Sequence, residues 1–404
     1  MPPRAMETTH DRDGGDFGRL VALVSDGQAS SRSELARLSG LSASTVSQRV
    51  DVLLRNHLLI ETGDGPSTGG RRPVLLSLNP AAGVVLAADI GASHYDLAVA
   101  DLGGEIHGRF HDDLDITAGP TVVLSRVVSQ FGRLLEELGR SADEVRAIGL
   151  GLPGPVEFVT GTVVRPPIMP GWDGFVVPEW FREHFPVPVL VDNDVNVMAL
   201  GVYWSGSFAT EQLLVVKVGT GIGCGIVTHG VLHRGADGAA GDIGHVRLAG
   251  EDSIVCRCGN TGCLEAVASG FAIAARLRDE GLDVHNSWDV VQLARAGEPR
   301  VLRAVRTAGQ RIGEVVASLV NFYNPDTIVI GGALAELRDE LLAVIRGVVY
   351  ECALPLATRR LTIATTFPGQ HAAVVGAAIL ARQEALSPNA IAQWLNDSPR
   401  LGRA

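Results

Sequence analysis

Three cysteines lie within eight residues of the stretch CRCGNTGCLEA, residues 256 to 266, in a chain that has five cysteines in all. His245 lies shortly before them, in GDIGH. A structural zinc ion takes about four nitrogen or sulfur ligands in tetrahedral geometry. The residue types and their spacing therefore predict a structural Zn2+ site with these ligands: His245, Cys256, Cys258 and Cys263.

Other uses of these cysteines are weaker alternatives. Clustered cysteines in a chain of 404 residues do not make a disulfide framework. The remaining alternative is a coincidental group of thiols that binds no metal. A zinc ion that activates water needs an open coordination position, which four protein ligands do not leave. Cys224 and Cys352 stand apart, and we expect both to be small buried side chains. A bound metal would hold Asp242, His245 and Glu265 near one another.

Two glycine-rich turns, DIGAS at residues 89–93 and GTGIGCG at residues 219–225, each follow a hydrophobic strand. Glycine lets backbone N–H groups approach a phosphate closely. Either turn alone is equally compatible with an ordinary hairpin, but the repeated unit indicates two α/β lobes that face a cleft. The candidate phosphate-turn residues are Asp89, Gly91, Gly219, Thr220 and Gly221.

A third candidate lies in VPVLVDNDVNVMALG, where a hydrophobic strand ends at Asp192 and a helix begins near Asp194. Asn193 and Asp194 are therefore expected at the carboxyl end of a strand, where α/β sheets bind ligands. Asp194 could accept a proton from a sugar hydroxyl, as the general base of a kinase does. The alternative role for Asp194 is a helix N-cap, and the two roles are compatible.

Residues 16–80 have a different pattern from the rest of the chain. DFGRLVALVSDG and SRSELARLSG predict two short helices, and LSASTVSQRVDVLLRNHLL predicts a third with Ser42 as its N-cap. The turn SGL between the second and third helices is typical of a helix-turn-helix. The face opposite Val46 and Val50 carries Ser44, Gln48 and Arg55, and Thr45 and Arg49 flank it. These side chains could reach bases and phosphates.

Two short strands, LLIETG and RPVLLSL, enclose the polar loop DGPSTGGRR and complete a winged helix. Arg71 and Arg72 could enter a minor groove or contact phosphate. Residues 30–75 carry six arginines and four acidic side chains, whereas the whole chain has a net charge of -11. This pattern predicts a double-stranded DNA partner, and a helical adaptor that binds protein is the alternative.

Composition limits the remaining classes. The chain is 46% hydrophobic and 5% aromatic, which is typical of an α/β protein, and its length suits about two or three domains. Hydrophobic runs such as QLLVVKV end after about eight residues, whereas about 20 are needed to cross a bilayer. The polar N-terminus lacks a secretory signal. We therefore expect a cytoplasmic protein without a membrane partner.

GDIGHVRL followed by CRCGNTGCLEAVASG resembles the signature of the ROK family, which is named for repressors, open reading frames and kinases. DIGAS, GTGIGCG, DND, IVIGGAL, PPIMPGW and GGRRPVLLSLNP extend the resemblance from about residue 16 to 385. It implies a two-lobed, actin-like sugar-kinase fold of the ribonuclease H-like α/β class, behind a winged helix-turn-helix. The implied domains are residues 16–80, lobe 1 at 84–195 with a helix at 371–386, and lobe 2 at 196–370.

The resemblance also implies a homodimer or homotetramer with zinc beside a sugar pocket. Asp194 is the base in the kinase members, and His245 would contact both zinc and sugar. Asp242 replaces the usual glutamate and is shorter by one methylene, about 1.5 Å, so its sugar contact would need an intervening water. The implied sugar contacts are Asn193, Asp194, Asp242, His245 and Glu265.

Kinase members of that family read DIGGTK at the first turn, where this chain has Ala92, Ser93 and His94. An added methyl group obstructs a phosphate, and a neutral histidine lacks a fixed positive charge. ATP and Mg2+ are therefore not expected as cofactors. The sequence favours a sugar-responsive transcriptional repressor whose effector is a sugar or sugar phosphate, and the alternative is an ATP-dependent sugar kinase with an extra DNA-binding domain. Lys217, the only lysine, has no assigned role.

Overall fold

The N-terminal part of the chain is a winged helix-turn-helix. The computed structural model describes residues 9–65, 72–365 and 371–397. Ser31 caps the second helix by accepting a hydrogen bond from the Glu34 backbone, and Gly40 ends it at a positive φ of 73°. Ser42 caps the third helix as the sequence predicts. The elements are α1 (Thr9–Ser25), α2 (Arg32–Ser39), α3 (Ala43–Arg55) and the antiparallel strands β1 (Leu59–Asp64) and β2 (Val74–Leu78).

A five-stranded sheet with helices follows. Its spatial order is β5-β4-β3-β6-β9, in which β3, β4 and β5 are antiparallel and β6 and β9 run parallel to β3. The elements are β3 (Val84–Ile90), β4 (His94–Asp101), β5 (Ile106–Asp113), α4 (Pro120–Glu137), β6 (Val145–Leu152), β7 (Val156–Glu157), β8 (Thr162–Val163), α5 (Val177–Phe181) and β9 (Val189–Asn193). β3 is buried along its whole length, as expected for a central strand with both faces covered.

A second five-stranded sheet repeats this arrangement in the order β12-β11-β10-β13-β14, with an antiparallel hairpin and two parallel strands. The duplicated strand-turn-strand pattern of the sequence is therefore real. The elements are α6 (Asp194–Trp204), β10 (Gln212–Val218), β11 (Ile222–Thr228), β12 (Val231–Leu232), α7 (Leu264–Ala268), α8 (Gly270–Asp279), α9 (Ser287–Arg295), α10 (Pro299–Tyr323), β13 (Thr327–Gly331), α11 (Arg338–Cys352), α12 (Pro355–Thr358), β14 (Thr362–Thr365), α13 (Ala372–Ala385) and α14 (Pro388–Asp397).

Helices α6 and α13 cross at glycines. A Cβ on Gly201 would lie 1.8 Å from the Ala372 carbonyl oxygen, and one on Gly376 would lie 1.6 Å from that of Val197. Helices approach this closely only where a side chain is missing. α13 also packs on β3 and β6, so it joins the helix that begins at Asp194 to the first sheet.

The C-terminal helix α14 connects this body to the winged helix. It packs on α1, where a Cβ on Gly18 would lie 2.5 Å from the Pro388 Cα. The Trp394 ring of α14 lies under the Arg146 guanidinium at 4.1 Å, a cation–π distance. Within the described ranges, no helix combines the length and apolar character required to cross a membrane.

Candidate functional site

A cavity of about 1190 Å³ opens between the two sheets. It brings together residues that are far apart in the sequence, because β3 and β9 of the first sheet and β10 of the second sheet all end at the cavity. The cavity wall includes both glycine-rich turns and the carboxyl end of β9. The predicted residues that line it are Asp89, Gly91, Asn193, Asp194, Gly219, Thr220, Gly221, Asp242, His245, Cys256 and Glu265.

The four predicted zinc ligands converge at one side of this cavity. The Nδ1 atom of His245 is 3.8 Å from the Cys256 Sγ, and the Sγ atoms of Cys258 and Cys263 are 3.8 Å apart. One ligand atom from each of the four lies within 4.8 Å of the others. Ligands on a tetrahedral ion with bonds of about 2.3 Å lie about 3.8 Å apart. The cluster could therefore hold a metal ion.

The two remaining cysteines differ from each other. Cys224 is buried in β11, and burial raises the pKa of its thiol to about 12, which agrees with a packing role. The expectation that Cys352 is also buried is wrong, because its side chain is exposed. Cys352 is the last residue of α11, and the helix end leaves it at the surface.

Asn193 is the N-cap of α6 and Asp194 provides a carboxylate at the cavity, two roles that the sequence alone could not assign separately. The Asn193 side chain caps α6 by accepting a hydrogen bond from the Val195 N–H, and it donates another to the Gly154 carbonyl at 3.0 Å. The N-cap is therefore Asn193, and the cap role considered for Asp194 is wrong. Asp194 is the first residue of α6, and its carboxylate faces the cavity.

Lys217, which has no role at the level of sequence, lies opposite Asp194. Its Nζ donates to the Asp194 Oδ2 at 2.6 Å across the cavity. Burial lowers the pKa of Lys217, but the carboxylates of Asp194 and Asp89 outweigh it, so its pKa is raised and the side chain stays an ammonium. A lone lysine on a strand that ends in a glycine-rich turn is the signal that could have identified it.

The carboxylates near the metal cluster have different surroundings. Glu265 accepts a hydrogen bond from the Ile222 N–H at 3.1 Å, and burial raises its pKa. A Cβ on Gly221 would lie 2.5 Å from the Glu265 Oε2, so a side chain in the turn would displace this carboxylate. Asp242 is half-exposed, and its Oδ1 is 3.9 Å from the His245 Nε2. His245 thus presents Nδ1 to the thiols and Nε2 to the cavity.

The first glycine-rich turn is covered. A Cβ on Gly91 would lie 2.7 Å from the His94 Cε1, so the imidazole lies against the turn. Burial lowers the pKa of His94, which favours the neutral ring. Burial raises the pKa of Asp89 to about 7, although the Lys217 ammonium opposes the shift. The side chain of His94 therefore fills the space beside the first turn.

The outer face of α3 carries Ser44, Gln48, Asp51 and Arg55, all exposed, and Asp51 pairs with Arg32 at 2.7 Å. Thr45 is half-buried, with its hydroxyl 2.8 Å from the Ser42 Oγ. Arg72 is exposed, and Arg71 lies outside the described residues.

Arg49 departs from the expectation of a DNA-facing side chain. It is 15% exposed, its guanidinium pairs with Asp16 at 2.9 Å, and it lies 4.9 Å from the centre of the Phe17 ring. Both partners belong to α1, so Arg49 ties α3 to α1. Sequence spacing placed it only at the border of the exposed face, where long-range packing decides its direction.

Comparisons with known proteins agree with this architecture. The model of the ROK family matches residues 85–384. The xylose repressor of Caldicellulosiruptor bescii is 29% identical over 91% of this chain and 95% of its own, and the glucokinase of Halalkalibacterium halodurans is 31% identical over 73% and 94%. A ROK family transcriptional regulator, a homologue of the E. coli MLC protein, shares the fold with a TM-score of 0.78 at 24% identity, over 96% of this chain and 99% of its own. The chain belongs to the ROK family.

Proposed function

We propose that this chain is a sugar-responsive DNA-binding transcriptional repressor whose effector binds in the cavity between the two sheets. The observation that carries the proposal is the exposed outer face of α3, with Ser44, Gln48 and Arg55 available on the same chain as a kinase-like cavity. The name of the xylose repressor relative, which matches nearly the whole chain, supports it. The partner is an operator in double-stranded DNA, read by a homodimer or homotetramer in the cytoplasm.

The effector contacts follow from the donors and acceptors that remain free to bind. Asn193 uses its oxygen and one N–H within the protein, which leaves one N–H for a sugar oxygen. Asp194 and Glu265 offer acceptors for hydroxyl groups, and the His245 Nε2 faces the same space. Asp242 completes the proposed set at a distance that a water bridges.

Zinc is the metal that this donor set fits best. Three thiolates and one imidazole satisfy tetrahedral Zn2+ and leave no open position. When bound, the ion supplies structural bracing for the loop that carries Asp242 and His245. His245 is then fixed through Nδ1, and its other nitrogen is oriented toward the effector.

The cavity favours binding over phosphoryl transfer. A general base must be free to accept a proton, and the Asp194 carboxylate is held by the Lys217 ammonium at 2.6 Å. His94 covers the first turn. ATP and Mg2+ are therefore not assigned to this chain.

The second candidate function is an ATP-dependent sugar kinase that carries an extra domain. It is favoured by the second turn, where the nearest atom to a Cβ on Gly219 would be the Ala333 nitrogen at 3.9 Å. Space for a phosphate therefore remains there, and the glucokinase relative has the same family domain.

A two-part experiment tests the proposal. The purified chain is titrated with the DNA upstream of its own gene at several salt concentrations, with and without a panel of free aldoses and sugar phosphates. We expect salt-dependent binding that one sugar changes. Gln48→Ala with Arg72→Ala should lose DNA binding and keep the sugar-induced thermal shift. Glu265→Gln should keep DNA binding and lose the sugar-induced thermal shift. ADP formation at ordinary kinase rates with Mg-ATP and hexoses would overturn the proposal, as would the absence of specific DNA binding.

A further inference from the structure

Four side chains that could bind a metal ion, two aspartates and two histidines, lie on one face of the first sheet and are separate from the cysteine cluster. Asp89 on β3 is directly opposite Asp96 on β4, and Asp96 is directly opposite His111 on β5. His94 lies two residues before Asp96 on the same strand, so it points to the same face. All four line the cavity between the sheets.

The two carboxylates form an arrangement that a bound cation would stabilise. Asp89 and Asp96 are 5% and 6% exposed, and like charges directly opposite on neighbouring strands are destabilising. The Oδ1 of Asp89 is buried and has no hydrogen-bond partner within the described part of the chain. A buried carboxylate oxygen left in this way is costly. The ammonium of Lys217 is engaged by Asp194.

The geometry already approaches that of a coordinated ion. The Nε2 of His94 is 3.9 Å from the Asp96 Oδ2, and one ligand atom from each of Asp89, His94 and Asp96 lies within 4.8 Å of the others. Ligands on one ion with bonds of about 2.1 Å lie about 3 to 4 Å apart, so side-chain rotations would have to bring the three groups closer together. The His111 Nδ1, 3.0 Å from the Asp96 Oδ1, fixes the orientation of that carboxylate.

We propose that Asp89, His94 and Asp96 form a second metal site, which takes a divalent transition-metal ion such as Zn2+ or Mn2+. One imidazole with two carboxylates suits these ions better than Mg2+ or Ca2+, which prefer oxygen ligands alone. Three protein ligands leave a position open to water or to a hydroxyl of a cavity ligand. The site lies at the turn that resembles a nucleotide phosphate motif, and it does not depend on the proposed repressor function.

Metal counting on the full chain tests this inference. The protein is stripped with a chelator, reloaded with Co2+ as the probe and analysed for metal content and absorption. We expect two equivalents in the native chain. Cys258→Ser should lose the thiolate-to-cobalt absorption and keep one equivalent. His94→Gln with Asp96→Asn should keep that absorption and lose the other equivalent.

Matched controls separate metal loss from misfolding. His285→Gln removes an exposed histidine that pairs with Asp283, and it should keep both equivalents. Asp89→Asn, which preserves the shape of the side chain, should lower affinity for the second equivalent at least tenfold and provides a further test where the double variant unfolds. A native chain that takes one equivalent, lost in Cys258→Ser, would overturn the proposal. So would a folded His94→Gln, Asp96→Asn chain that still binds two.

Discussion

The two glycine-rich turns occupy equivalent places in two sheets of the same topology, but their chemistry differs. Around Gly219 the space beside the backbone is open, whereas the imidazole of His94 covers Gly91. The cysteine cluster lies beside the second sheet, whereas Asp89 and Asp96 lie on one face of the first sheet. The chain reverses direction at both turns, between β3 and β4 and between β10 and β11. Side chains around the turns are free to diverge, so equivalent positions in one fold can serve unlike ligands.

The largest expected effect is a loss of metal affinity at the cysteine cluster beside the second sheet. Cys258→Ser removes one thiolate from the cluster, so metal affinity at the cluster should fall more than about 100-fold, because even outer partners of ligands contribute about 10- to 100-fold. Zinc content after dialysis measures it. The isolated change should weaken the sugar-induced thermal shift and leave DNA binding by α3 in place. Full zinc in the variant would contradict the ligand assignment.

The next largest effect is a loss of stability where α6 crosses α13. Gly376→Ala would place a Cβ 1.6 Å from the Val197 carbonyl oxygen, and such overpacking costs about 3 kcal/mol or more. The free energy of unfolding in urea measures it. Gly347→Ala is the matched control, since nothing lies within 4 Å of a Cβ on this exposed glycine of α11. The control should stabilise the chain by about 0.5 to 1 kcal/mol, and equal effects would contradict the close crossing.

The ion pair across the cavity joins β10 of the second sheet to the start of α6, which follows β9 of the first sheet. Lys217→Met leaves the Asp194 carboxylate, 13% exposed, without its partner. We expect a loss of about 2 kcal/mol, below the 3 to 5 kcal/mol of a fully buried pair. Adding Asp194→Asn should recover most of the loss, because no lone charge remains. A double-mutant cycle from urea unfolding measures the coupling, and simple additivity would contradict the contact.

Removing the ring that covers Gly91 should leave the first glycine-rich turn as open as the second turn at Gly219. His94→Gly removes the ring from Gly91, so affinity for ADP should rise about tenfold, which corresponds to about 1.4 kcal/mol. Calorimetric titration measures this change in the chelated protein. His111→Gly, which alters a more exposed ring 5.8 Å from that of His94, is the control and should change ADP affinity much less. Unchanged affinity in His94→Gly would show that its ring does not limit access.

The smallest expected effect is a difference in stability between substitutions on the buried and exposed faces of α3. Arg49→Ala should cost about 1 kcal/mol of stability, because it loses the Asp16 pair and the Phe17 contact. Gln48→Ala, at the exposed neighbouring position, should change stability by less than about 0.5 kcal/mol and weaken operator binding instead. Thermal unfolding and fluorescence anisotropy together measure the pair. A reversed pattern would place Arg49 on the DNA side.

The sequence predicted most of the fold and identified many residues that line the cavity. Strand-turn-strand units around Gly91 and Gly219, the Ser42 cap and the cysteine spacing all correspond to observed elements. It did not predict the direction of Arg49, the exposure of Cys352 or the cap role of Asn193. Each of these depends on which neighbour a side chain meets after the helices have packed.

Local physics explains what the sequence determined by itself. A serine cap, a glycine at positive φ and a C-x-C turn satisfy backbone groups within a few residues, so their patterns are visible along the chain. The tertiary structure alone decided that Lys217 meets Asp194 and that Asp89, Asp96 and His111 form one row. Those contacts depend on strand register and on the crossing of α6 with α13, which no short segment specifies.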